Sequence, residues 1–172
     1  EFTVTNSATG SYPALSATGG DTNIGINLTP KGLGFAKFNG LGSIKSIKER
    51  ATVSATAATG TLTYDIITQA VLYYTLNATA NWTLNLRGDG SNSLNSIMDT
   101  GDSFTVAHLV PQGATAYYNS VVQIDGTGVT PEWQGGTAPA AGNPSSIDIY
   151  TYTVIKTADA TFIVLASQAQ FA

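Results

Sequence analysis

The sequence predicts an all-β protein: a short, intertwined N-terminal β stalk over residues 1–43, then a jelly-roll-like β-sandwich head over 44–172, the whole homotrimeric. Three observations lead there. From about residue 61 onward, apolar residues alternate with polar ones in short runs at sandwich spacing. Hardly any stretch carries a helical period. The leading forty or so residues are too thin in large apolar side chains to bury one another within one chain.

Within 1–43, "SATG" occurs at 7–10 and again at 16–19, each copy closed by Gly. Two copies are too few for a solenoid. Ile24, Ile26 and Leu28 then sit two apart, Pro30-Lys31-Gly32 supplies a turn, and Phe35 and Phe38 follow. The pattern predicts two stubby strands, marginal in one chain. Three copies wound together would share an axis of Ile24, Ile26, Leu28 and Phe35, with Asn23, Asn27 and Thr29 pointing outward. Each such burial contributes about 1.5–3 kcal/mol, set against the cost of ordering the chain.

Residues 41–56 read as a connector running into a strand, with Ile44 and Ile47 helically spaced but Val53 and Ala55 alternating. Strands are expected near 61–67, 70–76, 82–86, 103–110, 116–124, 147–156 and 161–171, the last two joined as a hairpin across "TADA", 157–160. Several of these runs are apolar on both phases, as in strands buried on both sides or at a subunit contact. Only "SLNSIMDT", 93–100, offers a helical turn. The stretch 126–145, rich in Gly and Pro, has no period of its own and is expected to be a long functional loop. Trp133 within it, Glu132 beside it and Tyr117 are the candidate contact residues.

Composition narrows the chemistry. The chain has 172 residues, enough for a core, and only 10% of them are charged. Starting at Glu1 rather than Met, it is expected to be a piece of something longer or processed. It has no cysteine, so a disulfide framework and thiolate catalysis are excluded. Membrane insertion is not expected, because no run of apolar residues is long enough to span a bilayer. Lys31, Lys37, Lys45, Lys48 and Arg50 outnumber the acids before residue 51, yet they are scattered and lack interleaved aromatics, so nucleic acid is not an expected partner.

Single motifs read as turns. Asp-Thr-Gly at 99–101 matches half of an aspartic-protease site, but that chemistry needs a second carboxylate. A turn is expected instead, Asp99 and Asp102 accepting backbone N–H bonds around Gly101. "DGSNSLNSIMDT", 89–100, spaces oxygens like a calcium loop but ends in Thr100 where a Glu is needed, so a polar loop is expected and no metal or cofactor. "RGD" at 87–89 is a short match within a turn. His108, the sole histidine, alternates with Val106 and Val110 and is expected half-buried or at an interface. Without a "GxSxG" elbow, no Ser-His-Asp triad is defensible. The sequons at Asn27, Asn77 and Asn81 matter only in a eukaryotic secretory setting. Tyr73 and Tyr74 are expected to pack across strands.

The stretch "GGDTNIGINLTPKGLGFAKF" resembles a recurring element of bacteriophage tail fibres and tail spikes, roughly S/G-D-T-N-I-x-I-x-L-x-P-K-G-x-G, that precedes a shaft or a receptor-binding head. The matching residues are Asp21, Thr22, Asn23, Ile24, Ile26, Leu28, Pro30, Lys31, Gly32 and Gly34. Residues 44–172 are similar to C-terminal domains of virion structural proteins of marine and cyanobacterial phages. The resemblance implies a trimeric fibre on the virion, outside the cell. Its partners would be other copies, other virion proteins, and a host-surface glycan or protein touched through Trp133, Glu132 and Tyr117. A capsid decoration or head-fibre protein is the alternative. A polysaccharide hydrolase stands further off, since paired carboxylates on a long parallel β-helix are expected there and the sequence suggests no rungs. No catalytic residue carries over.

Overall fold

Between residues 51 and 124 the chain shuttles between two sheets. The computed structural model describes residues 2–5, 8–10, 12–38, 40 and 42–172. Glu1, Ser7 of the first "SATG" and Leu41 at the head of the connector lie outside the described residues. The chain divides into two compact units, Glu1–Ile44 and Lys45–Ala172.

The first unit contains one antiparallel ribbon, β1 (Phe2–Thr5) paired with β2 (Ala14–Ala17). The two stubby strands expected at 24–28 and 35–38 are not formed. That stretch makes no ladder, and its turn is closed by the Gly34 N–H donating to the Lys31 carbonyl at 3.1 Å. Gly32 takes the left-handed φ of +61° that this turn requires. The reason is physical: alternation prepares a strand, but only a neighbouring backbone can satisfy its N–H and C=O groups. Among the described residues no strand pairs with this stretch, and Ile24, Ile26, Leu28 and Phe35 stay 41%, 42%, 59% and 73% exposed.

The second unit holds β3 (Ala51–Ser54), β4 (Gly60–Asp65), β5 (Val71–Tyr74), β6 (Trp82–Arg87), β7 (Ser103–Pro111) and β8 (Asn119–Ile124). The odd-numbered strands run side by side and parallel in one sheet, the even-numbered ones in the other. Each odd–even pair is therefore one rung of a short two-sheet coil. Parallel neighbours need a crossover, and here the crossover is a strand of the facing sheet. Two expectations are corrected together. Jelly-roll-like pairing would be antiparallel, and rungs, unsuspected in the sequence, are present.

Antiparallel strands finish both sheets. β9 (Thr127–Val129) turns back on β8. The hairpin of β11 (Ile147–Ala158) and β12 (Thr161–Phe171) pairs with β7 through β11. β10 (Glu132–Trp133) lies parallel to the outer edge of β12. The supposed structureless loop 126–145 thus contains two short strands and a 3-10 turn at Gln134–Gly136. The sheets read β10-β12-β11-β7-β5-β3 and β4-β6-β8-β9.

Even-numbered side chains face inward. Leu62 stacks on Leu84 and Val122, and Tyr64 on Leu86 and Ile124, along the parallel ladders. All six are buried. From the opposite sheet come Leu72, Tyr74, Val106, Val110, Tyr150, Tyr152 and Val154. The two sheets touch: the Tyr64 hydroxyl donates to the carbonyls of Ala70 (2.7 Å) and Ala107 (3.2 Å), and the Trp82 ring meets Tyr150 edge-on at 5.4 Å. Tyr74 packs inward while Tyr73 faces out, half-buried.

The one α-helix among the described residues, α1 (Leu94–Ile97), interrupts the coil between β6 and β7. Ser93 caps its start by accepting from the Ser96 N–H. The Asp125 carboxylate accepts from the Leu94 and Asn95 N–H groups, at 2.7 and 3.0 Å. At its other end Lys156 Nζ donates to the carbonyls of Asn95 and Met98. Acid at the N-terminus and amine at the C-terminus both suit the helix dipole.

Candidate functional site

Of the chemistry-bearing residues singled out in the sequence, His108 lies sealed in the core and the acids at 89, 99 and 102 hold turns. His108 is not half-buried or interfacial but sealed, at 0% exposure. Its ring meets Tyr74 at 5.0 Å, Trp82 at 6.1 Å and Tyr64 at 6.5 Å, all edge-on. Neither ring nitrogen has a hydrogen-bond partner. Burial drives its pKa down to about 3, so the ring is neutral at ordinary pH.

The acids hold turns. The Asp102 N–H donates to the Asp99 carbonyl, and the Asp99 N–H to the Asp102 carboxylate at 2.8 Å. The Gly101 N–H reaches the Lys156 carbonyl instead of an Asp side chain, which corrects the expected bonding while keeping the turn. The Asp89 carboxylate accepts from the Ser91 and Asn92 N–H groups and from the Asn92 amide. These contacts hold its pKa below the usual carboxylate range. Arg87 donates to Asp65 at 2.6 Å, which orients the first residue of "RGD" along the sheet. Among the described residues no cluster of three metal-binding side chains occurs.

Asp148 is the exception among the acids. It is fully buried at the start of β11, where one oxygen accepts from Gln112, the Asn143 N–H and Gln168. Its other oxygen has no partner. Burial raises its pKa despite those bonds. Gln112 also donates to the Tyr117 carbonyl and accepts from the Tyr117 N–H. A Cβ at Gly142 would lie 2.3 Å from that carbonyl, so the chain closes here only through glycine.

The three contact residues do not converge. Glu132 and Trp133 line one hollow of about 410 Å³ with Thr151, Thr153 and Leu165. Trp133 is half-buried, edge-on to Tyr152 at 6.2 Å, so its ring anchors β10 while its rim borders the hollow. Tyr117 does not line that hollow; its backbone is tied to Gln112 and its ring packs on the core. Another hollow, about 600 Å³, lies by Asn77, Gln112, Ser145 and Phe171.

What the sequence reading missed is the difference between the two outer faces. On the four-stranded sheet the outward ladders are Thr61–Thr83–Val121, Thr63–Asn85–Gln123 and Asp65–Arg87, mostly polar. On the six-stranded sheet one outward row runs Val53–Tyr73–Leu109–Ile149–Ala169 across five strands. Ile155 and Ile163 pair further along. Of the charged residues on those five strands, Asp148 and Lys156 are both buried on the inner side. The apolar residues on both phases of these strands were the available signal. The chain matches no family model, no curated protein and no solved structure.

Proposed function

We propose that this chain is the subunit of a homotrimeric virion fibre. Its first 43 residues wind with two further copies into a stalk, and residues 44–172 form a head that binds a host-surface receptor or docks on the particle. The reading assigns it no catalytic step. The observation that carries it is the state of residues 24–38. Their apolar side chains recur at strand spacing, stand open to solvent and have no ladder in one chain. A segment of that kind gains order when neighbours supply both the missing backbone partners and the missing apolar contacts.

Glu132 and the rim of Trp133, on β10 at the margin of the six-stranded sheet, are the proposed receptor contact, since a ring rim beside a carboxylate suits a sugar or a polar loop. Sedimentation equilibrium of the full chain at micromolar concentration tests the stalk: a threefold mass is expected, and a monomer overturns the reading. Fluorescently labelled chain applied to host cells and, separately, to purified virions tests the head. Saturable binding to one of them is expected, and binding to neither removes that half.

A further inference from the structure

We infer that the outer face of the six-stranded sheet is where the head units of neighbouring copies meet, an inference that rests on the trimeric reading. The face is large. Strands β12, β11, β7, β5 and β3, at about 3.3 Å per residue and about 4.8 Å between strands, present roughly 600 Å² in plan. That approaches the about 800 Å² per partner of a standard interface. With its threonine and serine positions counted, it lies at the upper end of the roughly 300–600 Å² that the largest apolar patch of a typical monomer covers, and such patches are often functional. Val53, Ile163 and Leu165 remain 65%, 45% and 46% exposed on it. No strand or helix of the second unit lies over it among the described residues.

Charge selects the occupant. The outward side chains of these five strands carry none, and the nearest acid in the ladder is Glu132 on β10, at the margin beside Leu165. A basic or acidic partner gains nothing on such a surface, and an ionic polysaccharide finds no counter-charge. A copy of the same face meets it with no like-charge repulsion, although the chain as a whole carries a net charge of −4.

Width then fits a threefold arrangement. Three sheets closed into a triangular prism stand from its axis at their width divided by twice the square root of three. Over the four-residue span that β3 and β5 contribute, the five strands are about 19 Å across and that distance is about 5.5 Å, close to half the ~10 Å between packed sheets. Side chains of the central strand, Leu109 among them, would then meet at the axis with little void.

A chain without cysteine allows a direct test. Leu109→Cys places one thiol on the middle strand of the five, in the row that crosses all of them. Ile149→Cys, its neighbour on β11, is the second variant should the first fail to fold. Thr63→Cys sits on the outward side of the other sheet. Each full-length variant is treated with a short bismaleimide, which bonds two thiolates by addition, and is weighed by sedimentation alongside. Covalent dimers from the 109 or 149 thiol, at least tenfold more abundant than from the 63 thiol, support the inference. A trimer that cross-links at 63 as readily, or at neither face position, overturns it and leaves the stalk intact. A dimer cross-linked at 109 supports the face and removes the threefold reading. A monomer with no cross-link overturns both.

Discussion

The two units carry the same kind of residue to opposite ends. In 45–172 the alternating Leu62, Tyr64, Leu84 and Leu86 are 7% exposed or less; in the first unit the alternating Ile24, Ile26 and Leu28 are 41% exposed or more. Alternation is common to both, so it is not what makes a strand. In the second unit the coil returns each strand to a neighbour laid down two strands earlier, and the facing sheet closes over the side chains. In the first, among the described residues, no strand returns to residues 24–28. Period-2 patterning states a willingness to pair, and the topology of the chain decides whether it is met.

The largest effect should come from removing that willingness in the first unit. Ile24, Ile26 and Leu28 replaced together by Ser would strip nine apolar side chains from a trimer, on the order of 10 kcal/mol or more. The sedimenting mass should fall from three chains to one. An unchanged mass would erase the contrast, because the exposed alternation would then be idle. Within the second unit, Leu84→Ala should lower stability by about 2–5 kcal/mol, read from chemical denaturation. The same change at Leu28 should leave that transition within about 0.5 kcal/mol.

Acid should separate the units too, since the sole histidine lies in the second. The His108 pKa is about 3 when folded, against about 6.5 unfolded. Between those values the unfolded chain binds the extra proton, so stability is full above about pH 6.5 and is lost as pH falls towards 3. The slope approaches about 1.4 kcal/mol per pH unit, or about 2–3 kcal/mol between pH 6.5 and 4.5. Asp148 works in the opposite sense: its pKa is raised on folding, so protonation relieves part of its burial cost at the acid end. His108→Phe should flatten the slope above pH 4.5 in urea melts followed by tryptophan fluorescence. Persistence of the slope would place the acid sensitivity elsewhere.

The strands of the second unit were legible because each run shows its alternation locally, from Leu62 to Ala169. Their direction was not. A parallel neighbour reached through a facing strand and an antiparallel neighbour reached through a turn leave the same local pattern, and so the rungs were invisible. His108 misled for a related reason, since alternation with Val106 and Val110 describes an inward position without saying how thick the cover is. Trp82, Tyr64 and Tyr74 provide that cover from far along the chain. At the candidate site, Glu132 and Trp133 are sequence neighbours and share a hollow, whereas Tyr117 is tied to Gln112 by bonds no local pattern announces. Apolar residues on both phases did announce an apolar outer side, and the structure gathers it on one sheet.

The smallest effect concerns α1 and tests the same contrast at its finest grain. Four residues of helix do not stand alone in water. This one is formed because Asp125, in the turn between β8 and β9, receives two of its first N–H groups and Lys156, on β11, two of its carbonyls. Asp125 itself sits at a φ of +52°, a left-handed position that Asn tolerates and Ala does not. Asp125→Asn therefore preserves the turn, keeps one acceptor and removes the charge. Its cost should be about 0.5–1 kcal/mol, with amide exchange at Leu94 and Asn95 quickened severalfold and the exchange of Leu84 unchanged. If those two amides keep their protection, the helix owes its order to Leu94 in the core and not to its partners. Delivered partners would then be a weaker explanation of why residues 24–28 lack structure in one chain.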